Sequence, residues 1–218
     1  MPPYSRPRFA ILGSGRGSNA AALMRAFSDG TLDADLALVI SNVAGAPILR
    51  RATDAGYPAR LLESRGLSRS DHEARLADLL HAQGVQHLLL AGYMRLLSAP
   101  FIAAWRGVIL NIHPSLLPDF PGLHAVERQW RAGVRESGAT VHYVDAGIDT
   151  GPVLLRGRIR VRGDEGAAGL ADRILHEVEH ALYPRAVRLL LDRLQSGAGP
   201  ADDPKASTQG IDASGSVR

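Results

Sequence analysis

Short apolar runs alternate with amphipathic stretches along the first half of the chain. The runs predict buried strands, and stretches with apolar residues three and four positions apart predict helices, so the pattern indicates repeated βαβ units. Such units build a mainly parallel sheet with helices on both faces. The predicted strands are Phe9–Leu12, Leu36–Ile40, Ala59–Leu62, His87–Leu90 and Gly107–Leu110, and the predicted helices are Ala20–Phe27, Pro47–Ala55, Ser70–Gln83 and a short segment ending at Trp105.

The second half of the chain continues the pattern with longer elements. From Gln195 onward large apolar residues become scarce, which predicts a disordered tail over residues 195–218. With no internal repeat and no second core, residues 1–194 are predicted to form one α/β domain. The predicted elements are a helix over Glu127–Gly133, strands over Ala139–Val144 and Val153–Val161, and a helix over Ala167–Leu191 that would kink at Pro184.

Composition narrows the possible chemistry. The 218 residues are 45% hydrophobic, enough for a sizeable core, and no apolar run has the length of a membrane span or of a signal peptide. A cytoplasmic protein without a membrane partner is therefore predicted. The chain has no cysteine, which excludes disulfides, thiolate ligands and cysteine nucleophiles.

The basic residues are almost all arginine, with Lys205 the one exception among 25. Arg156, Arg158, Arg160 and Arg162 alternate with Leu155, Gly157, Ile159 and Val161, as on a strand with one solvated face. No aromatic residues interleave with these charges, so a solvated face is favoured over a nucleic-acid groove and no nucleic-acid partner is predicted.

A glycine-rich turn at Gly13–Asn19 lies between the first strand and the first helix. This layout is typical of an anion site, because free backbone amides and the positive end of the helix face the anion. The spacing is neither Gly-x-Gly-x-x-Gly nor a Walker loop, and the strand at Leu36–Ile40 ends in Ser41 and Asn42 with no carboxylate for a ribose. These features argue against a nicotinamide cofactor, and a merely tight turn remains the alternative.

Asn111 and His113 follow the apolar run Gly107–Leu110. Residues two apart on a strand share a side, so an amide donor and an imidazole would enter one site. Prolines at 114, 118 and 121 stiffen the backbone just beyond. Core or turn residues are the alternative interpretation, and Asp149, in a turn-rich loop, matters only if the sheet brings it beside His113.

As one site, Asn111, His113 and Asp149 fit acyl transfer without a covalent intermediate. A Gly-x-Ser-x-Gly elbow and a metal-binding motif are both absent from the sequence. Asn111 could donate a hydrogen bond to an oxyanion, and a charged His113 could donate as well and then protonate the leaving nitrogen. A nearby Asp149 would raise the pKa of His113.

Several motifs resemble the folate-dependent formyltransferases. The resemblance is carried by Asn111–Pro118, Phe120–Gly122 and Ile148–Pro152, and it extends from about Phe9 to Leu191 with the motifs in the family's order. Ser14–Asn19 and Glu179–Pro184 are similar to the members that act on phosphoribosylglycinamide. The resemblance implies a Rossmann-like fold and transfer of a formyl group from 10-formyltetrahydrofolate to the amine of 5'-phosphoribosylglycinamide, a step of purine biosynthesis.

The resemblance also implies roles for individual residues, with no metal ion and with a monomer or homodimer. Asn111, His113 and Asp149 match the catalytic residues, with His113 as the general acid. Gly17, Ser18 and Asn19 match the phosphate-binding loop of the substrate, and His176 and Glu179 match residues near its ribose and amine. The folate positions are Arg69, Met94, Arg95, Leu96, Leu97, Asn111, Asp145, Ala146, Gly147, Ile148 and Asp149.

Three alternatives remain open at this point. A sister formyltransferase could act on methionyl-tRNA or on a sugar nucleotide amine, although the former carries a C-terminal domain for which this sequence has no residues. A formyltetrahydrofolate hydrolase normally has an N-terminal regulatory domain, whereas the first predicted strand begins at residue 9 here. A non-catalytic folate- or nucleotide-binding module is disfavoured because all three catalytic residues are present.

Overall fold

Strands and helices alternate through the computed structural model, which describes residues 6–197 and 210–211. The strands are β1 (Arg8–Leu12), β2 (Asp35–Ser41), β3 (Ala59–Leu61), β4 (His87–Leu90), β5 (Ile109–His113), β6 (Glu136–Tyr143), β7 (Val153–Arg160) and β8 (Gly210–Ile211). The helices are α1 (Ser18–Ser28), α2 (Pro47–Asp54), α3 (Arg69–Ala82), α4 (Ala99–Ala104), α5 (Ala125–Arg131), α6 (Gly166–Arg173) and α7 (His180–Ser196).

The chain divides into two compact units, with the boundary between Leu110 and Asn111. In the first unit the strands follow the order β3-β2-β1-β4 and every pair is parallel. The chain runs outward from β1 to β2 and β3 and then returns to the other side of β1 as β4. A topological switch point therefore lies between β1 and β4, and crevices at such points bind ligands beyond the carboxyl ends of the strands. The core of this unit is apolar, with Phe9–Leu12 of β1 wholly buried.

In the second unit β6 and β7 pair antiparallel, and β7 pairs in parallel with β8. The combination of parallel and antiparallel pairs confirms the predicted α/β class with a mixed, mainly parallel sheet. The alternating arginines of β7 behave as expected, since Arg158 and Arg160 are exposed while Gly157 and Ile159 are buried. Arg156 is half-buried instead, and its guanidinium donates to the Leu117 carbonyl.

β6 begins three residues before the predicted strand. Its first residues, Glu136, Ser137 and Gly138, have the composition of a turn. Gly138 pairs closely with β7, where a Cβ atom at this position would lie 1.9 Å from the Gly157 carbonyl oxygen. The glycine thus serves close strand approach rather than a turn, which the local sequence alone does not reveal.

The long helix predicted over Ala167–Leu191 is interrupted. A π-helical turn over Ile174–Glu179 separates α6 from α7, so the irregularity lies before Pro184 rather than at it. α7 then continues to Ser196, where Gly197 ends it in the left-handed conformation. Of the predicted tail, residues 195–196 lie in α7 and residues 210–211 form β8, and residues 198–209 and 212–218 lie outside the described part of the chain.

Among the described residues, no helix has both the length and the apolar character that a membrane span requires.

His87 at the start of β4 makes the stability of the first unit sensitive to acid. Burial lowers the pKa of His87 from 6.5 to about 4, and its Nδ1 accepts a hydrogen bond from the Val108 amide. The unfolded chain therefore takes up the proton first, and stability falls as the pH drops from about 6.5 to about 4, by at most about 3 kcal/mol. We expect His87→Gln to flatten the dependence of stability on pH in this range, measured from urea unfolding curves at a series of pH values, and an unchanged slope in this variant would contradict the role of His87.

Candidate active site

β5 carries Asn111 and His113 to the same carboxylate. Asn111 Nδ2 lies 3.4 Å from Asp149 Oδ1, and His113 Nδ1 lies 3.1 Å from Asp149 Oδ2. Ile112 between them is buried on the opposite side of the strand. The structure thus brings together the three residues that the sequence had placed in one hypothetical site.

Asp149 is held in place from several directions. Its Oδ2 accepts a hydrogen bond of 2.7 Å from the Gly122 amide, and its backbone adopts a left-handed conformation with φ of 55°. Burial acts to raise the pKa of Asp149, but the adjacent His142, the hydrogen bond from the Gly122 amide and the nearby His113 outweigh it and lower the pKa below its ordinary value. The carboxylate is therefore an anion at neutral pH.

His142 on β6 is a fourth member of the cluster that sequence reasoning missed. Its side chain is 2% exposed, and its Nδ1 lies 2.9 Å from the Tyr143 carbonyl, which can only accept, so this nitrogen carries the proton. Its Nε2 lies 3.1 Å from Asn111 Nδ2, from which it accepts in the tautomer with the proton on Nδ1, and 3.4 Å from Asp149 Oδ1. His142 thereby orients the Asn111 amide. The signal available in the sequence was a histidine near the end of the predicted strand Ala139–Val144, which leads into the loop at Asp145–Pro152.

Both ring nitrogens of His113 face oxygen acceptors. Nε2 lies 2.9 Å from the Phe120 carbonyl, opposite the contact of Nδ1 with Asp149, so both contacts are attractive only in the charged ring. Burial nevertheless lowers the pKa of His113 below its ordinary value, while the Phe120 carbonyl and Asp149 act to raise it. Asp149 thus acts in the expected direction, but the net shift is opposite to the expected one because burial dominates.

Backbone strain concentrates around this cluster. Among the described residues, the non-glycine positions with positive φ are Phe120, His124 and Asp149. Phe120 supplies the carbonyl that faces His113, and Asp149 supplies the carboxylate. Such conformations cost free energy and persist mostly where the surrounding structure has a functional use for them.

The glycine-rich turn of the first unit, the predicted anion site, is held between α1 and α2. Gly17 caps α1 in the left-handed conformation with φ of 74°, and the helix follows at Ser18 and Asn19. A Cβ atom at Gly17 would lie 2.7 Å from Ile48 Cβ. The Gly15 carbonyl accepts from the Ile48 amide and the Arg16 carbonyl from Arg51, so the loop is fixed against α2.

Gly17→Ala tests whether this loop must keep its shape. A Cβ atom would meet Ile48 and would also be strained at positive φ, so we expect the loop to shift and the affinity for a phosphate ester to fall at least tenfold. Titration calorimetry with ribose 5-phosphate would measure it. Gly30→Ala is a control with the same backbone strain, since φ is 78° there but no atom lies within 4 Å of the added carbon.

The predicted folate segment Met94–Leu97 presents apolar side chains to solvent. Met94 is 70% exposed and Leu96 52% exposed, which is unusual for core residues and suits ligand contact. Arg95 turns the other way, with its guanidinium 3.4 Å from the Ser64 and Leu67 carbonyls. Arg69 is exposed at the start of α3, where it lines an open groove of about 560 Å³ together with Glu73.

The remaining predicted residues lie in the second unit. Asp145 accepts hydrogen bonds from the Gly147 amide and the Thr150 hydroxyl, which organises the loop, while Ala146, Gly147 and Ile148 are exposed. Glu179 is buried in the π-helical turn, and His176 is exposed beside Asp172. The positions that could hold a metal ion were also sought, and within residues 6–197 and 210–211 no group of three or more suitable side chains occurs.

The chain is similar in sequence to a known protein family and to several of its members. The model of the formyl transferase family matches residues 7–187. A phosphoribosylglycinamide formyltransferase of Bacillus subtilis is 37% identical over 185 residues, which are 84% of this chain and 94% of that protein. The trifunctional purine biosynthetic protein adenosine-3 of Drosophila melanogaster is 45% identical over 86% of this chain, which spans only 14% of that longer protein.

A solved structure is similar as well. It is the crystal structure of glycinamide ribonucleotide transformylase 1 from Symbiobacterium toebii, with a TM-score of 0.82 and 42% identity. The similarity covers 86% of this chain and 88% of that chain.

Proposed function

Because the chain belongs to the formyl transferase family, we propose that it transfers a formyl group from 10-formyltetrahydrofolate to the primary amine of 5'-phosphoribosylglycinamide. The observation that carries the proposal is the shared contact of Asn111 and His113 with Asp149. This arrangement places a neutral amide donor and a proton carrier around one fixed anion. It suits direct attack of an amine on a formyl carbon without a covalent enzyme intermediate.

The new ammonium loses one proton and the folate nitrogen gains one, and His113 is the group through which the proton is transferred. The amine nitrogen bonds to the formyl carbon, the carbonyl oxygen becomes an oxyanion, and the new ammonium must lose a proton. The bond from carbon to the folate nitrogen then breaks as charged His113 gives its proton to that nitrogen, and the neutral ring takes up the proton that the ammonium releases. A buried imidazole with a lowered pKa gives up its proton readily to the departing nitrogen. Asp149 stabilises the charged ring during this exchange.

Asn111 supports the oxyanion. Its amide hydrogen toward His142 makes the shorter contact of 3.1 Å, while the hydrogen toward Asp149 makes a longer contact of 3.4 Å. The second hydrogen is the one available to a substrate oxygen. Because His142 fixes the amide, little reorganisation is needed when the negative charge develops.

Binding contacts are assigned from the family match. Gly17, Ser18 and Asn19 would hold the phosphate through the amides at the start of α1, and His176 and Glu179 would contact the ribose and amine end. Arg69, Met94–Leu97 and Asp145–Asp149 would contact the folate. These assignments, the cytoplasmic location, the single domain, the lack of nucleic-acid partners and the choice between monomer and homodimer stay predictions.

An assay with and without the amine acceptor tests the proposal. Purified protein with 10-formyltetrahydrofolate and 5'-phosphoribosylglycinamide, in the presence of EDTA and without nucleotides, should form the formylated amine and tetrahydrofolate in equal amounts. Without the acceptor, release of formate should be slower by at least about a hundredfold. Equal rates with and without the acceptor would identify a hydrolase instead.

A further inference from the structure

Ser14 lies where three segments of the first unit meet. It follows β1, while Asn42 follows β2 and Met94 follows β4 by four residues. These are the carboxyl ends of adjacent parallel strands, and the switch point between β1 and β4 is among them. The Ser14 amide donates to the Gly92 carbonyl at 2.9 Å, which closes the base of this crevice.

The Ser14 hydroxyl uses its donor and one acceptor position in short hydrogen bonds. It donates to Asn42 Oδ1 at 2.6 Å and accepts from the Met94 backbone amide at 2.8 Å. The Met94 amide can only donate, so the Ser14 oxygen accepts from it. The single hydrogen of the hydroxyl is then left to donate to Asn42 Oδ1. The Met94–Leu97 segment is therefore anchored through one side-chain oxygen.

Asn42, which accepts from the Ser14 hydroxyl, is itself held by Ser64. Asn42 is 8% exposed, and its Nδ2 donates to the Ser64 hydroxyl at 3.1 Å. The Ser64 amide donates in turn to the Asn42 carbonyl at 3.2 Å. Arg95 reaches the Ser64 and Leu67 carbonyls from the folate segment itself. The loop around Ser64 thus holds both Asn42 and the segment that Ser14 anchors.

We propose that Ser14 is a positioning residue for the formyl donor, because its hydroxyl fixes the backbone of Met94 and thereby the place of the exposed Met94 and Leu96 side chains. This role rests on the proposed function of the Met94–Leu97 segment in folate contact. Without the hydroxyl, the Met94 amide and Asn42 Oδ1 each lose a partner, and the segment is free to adopt several positions. Binding of the donor must then order the Met94–Leu97 segment, which costs binding free energy.

Ser14→Ala should therefore weaken the binding of the formyl donor and leave the rate of the chemical step almost unchanged. Loss of hydrogen bonds of ordinary net strength corresponds to a rise of about five- to tenfold in KM for 10-formyltetrahydrofolate. We expect kcat and the KM for the amine substrate to stay within about twofold, since Asn111, His113 and Asp149 are unchanged. A general loosening of the protein would instead affect both substrates and kcat.

Amide exchange in the ligand-free protein separates this role from the function on which it rests. In ¹⁵N-labelled protein the Met94 amide should exchange at least about tenfold faster in Ser14→Ala than in the parent, because its acceptor is gone. Ser28→Ala, at the exposed last residue of α1, is the matched control and should change neither this exchange nor KM.

A double-mutant cycle with Asn42→Ala completes the test. If both residues act through one network, the rise in donor KM in the double variant is smaller than the product of the two single rises. Unchanged exchange at Met94, equal rises in both KM values, or independent effects in the cycle would each overturn the role of Ser14. Faster Met94 exchange in a protein that transfers no formyl group would uphold the anchor and refute the proposed function and its role in donor binding.

Discussion

Replacing His113 with alanine is expected to lower kcat by about a thousandfold, with a much smaller change in KM for either substrate. The imidazole touches the Asp149 carboxylate and the Phe120 carbonyl, and in the proposed reaction it carries the proton that the folate nitrogen must receive. Its loss leaves oxyanion stabilisation by Asn111 in place. Stopped-flow or steady-state assays with both substrates would measure the two constants.

Chemical rescue distinguishes proton transfer from mere support of the site. Added imidazole should restore part of the activity of His113→Ala and none of that of Asn111→Ala. His81→Ala, at an exposed position in α3, is the control and should keep the kcat of the parent. A kcat within tenfold of the parent in a folded His113→Ala protein would contradict the assignment.

Asp149→Asn is expected to lower kcat at pH 7.5 by about a hundredfold and to change the pH dependence. Asparagine tolerates the left-handed backbone at this position, where φ is 55°, so the fold should persist. The Asp149 charge acts to raise the pKa of His113, and its removal lowers that pKa further. The fraction of charged His113 therefore falls at any given pH, and kcat should decline at a lower pH than in the parent.

A profile of kcat from pH 5.5 to 9 would show the shift of this descending limb toward acid. Asp119→Asn, at an exposed position beyond β5, removes a carboxylate without touching the cluster and should leave the limb in place. An unmoved limb in Asp149→Asn would mean that the proton carrier is a group other than His113.

The order and type of most elements could be predicted because the apolar pattern of the first unit is regular. β4 begins and ends where the pattern places it, and the Rossmann-like formyltransferase fold implied by the motifs is confirmed by the similar solved structure. The start of β6 was harder to predict, since its first residues have the composition of a turn. Only the approach of Gly138 to its partner strand explains why they are extended.

The cluster of Asn111, His113 and Asp149 could likewise be predicted only in part. Strand alternation is a local rule, so the common side of Asn111 and His113 followed from the sequence. The contact with Asp149 spans 36 residues between His113 and Asp149 and depends on the tertiary fold. The membership of His142 in the cluster and the direction of the His113 pKa shift both depend on how deeply these side chains are buried. A sequence pattern does not quantify that burial.

The π-helical turn between α6 and α7 resembles one extra residue inserted into a single α-helix. Each residue of an α-helix advances about 100° around its axis, so an inserted residue sets the following helix out of phase with the preceding one. Leu170 in α6 and Leu182 in α7 are both buried, with the π-helical turn over Ile174–Glu179 between them. An insertion or deletion within this turn would therefore act as a rotation of a whole helix, and alignments of related chains should treat its length as a structural property rather than as a gap to be closed.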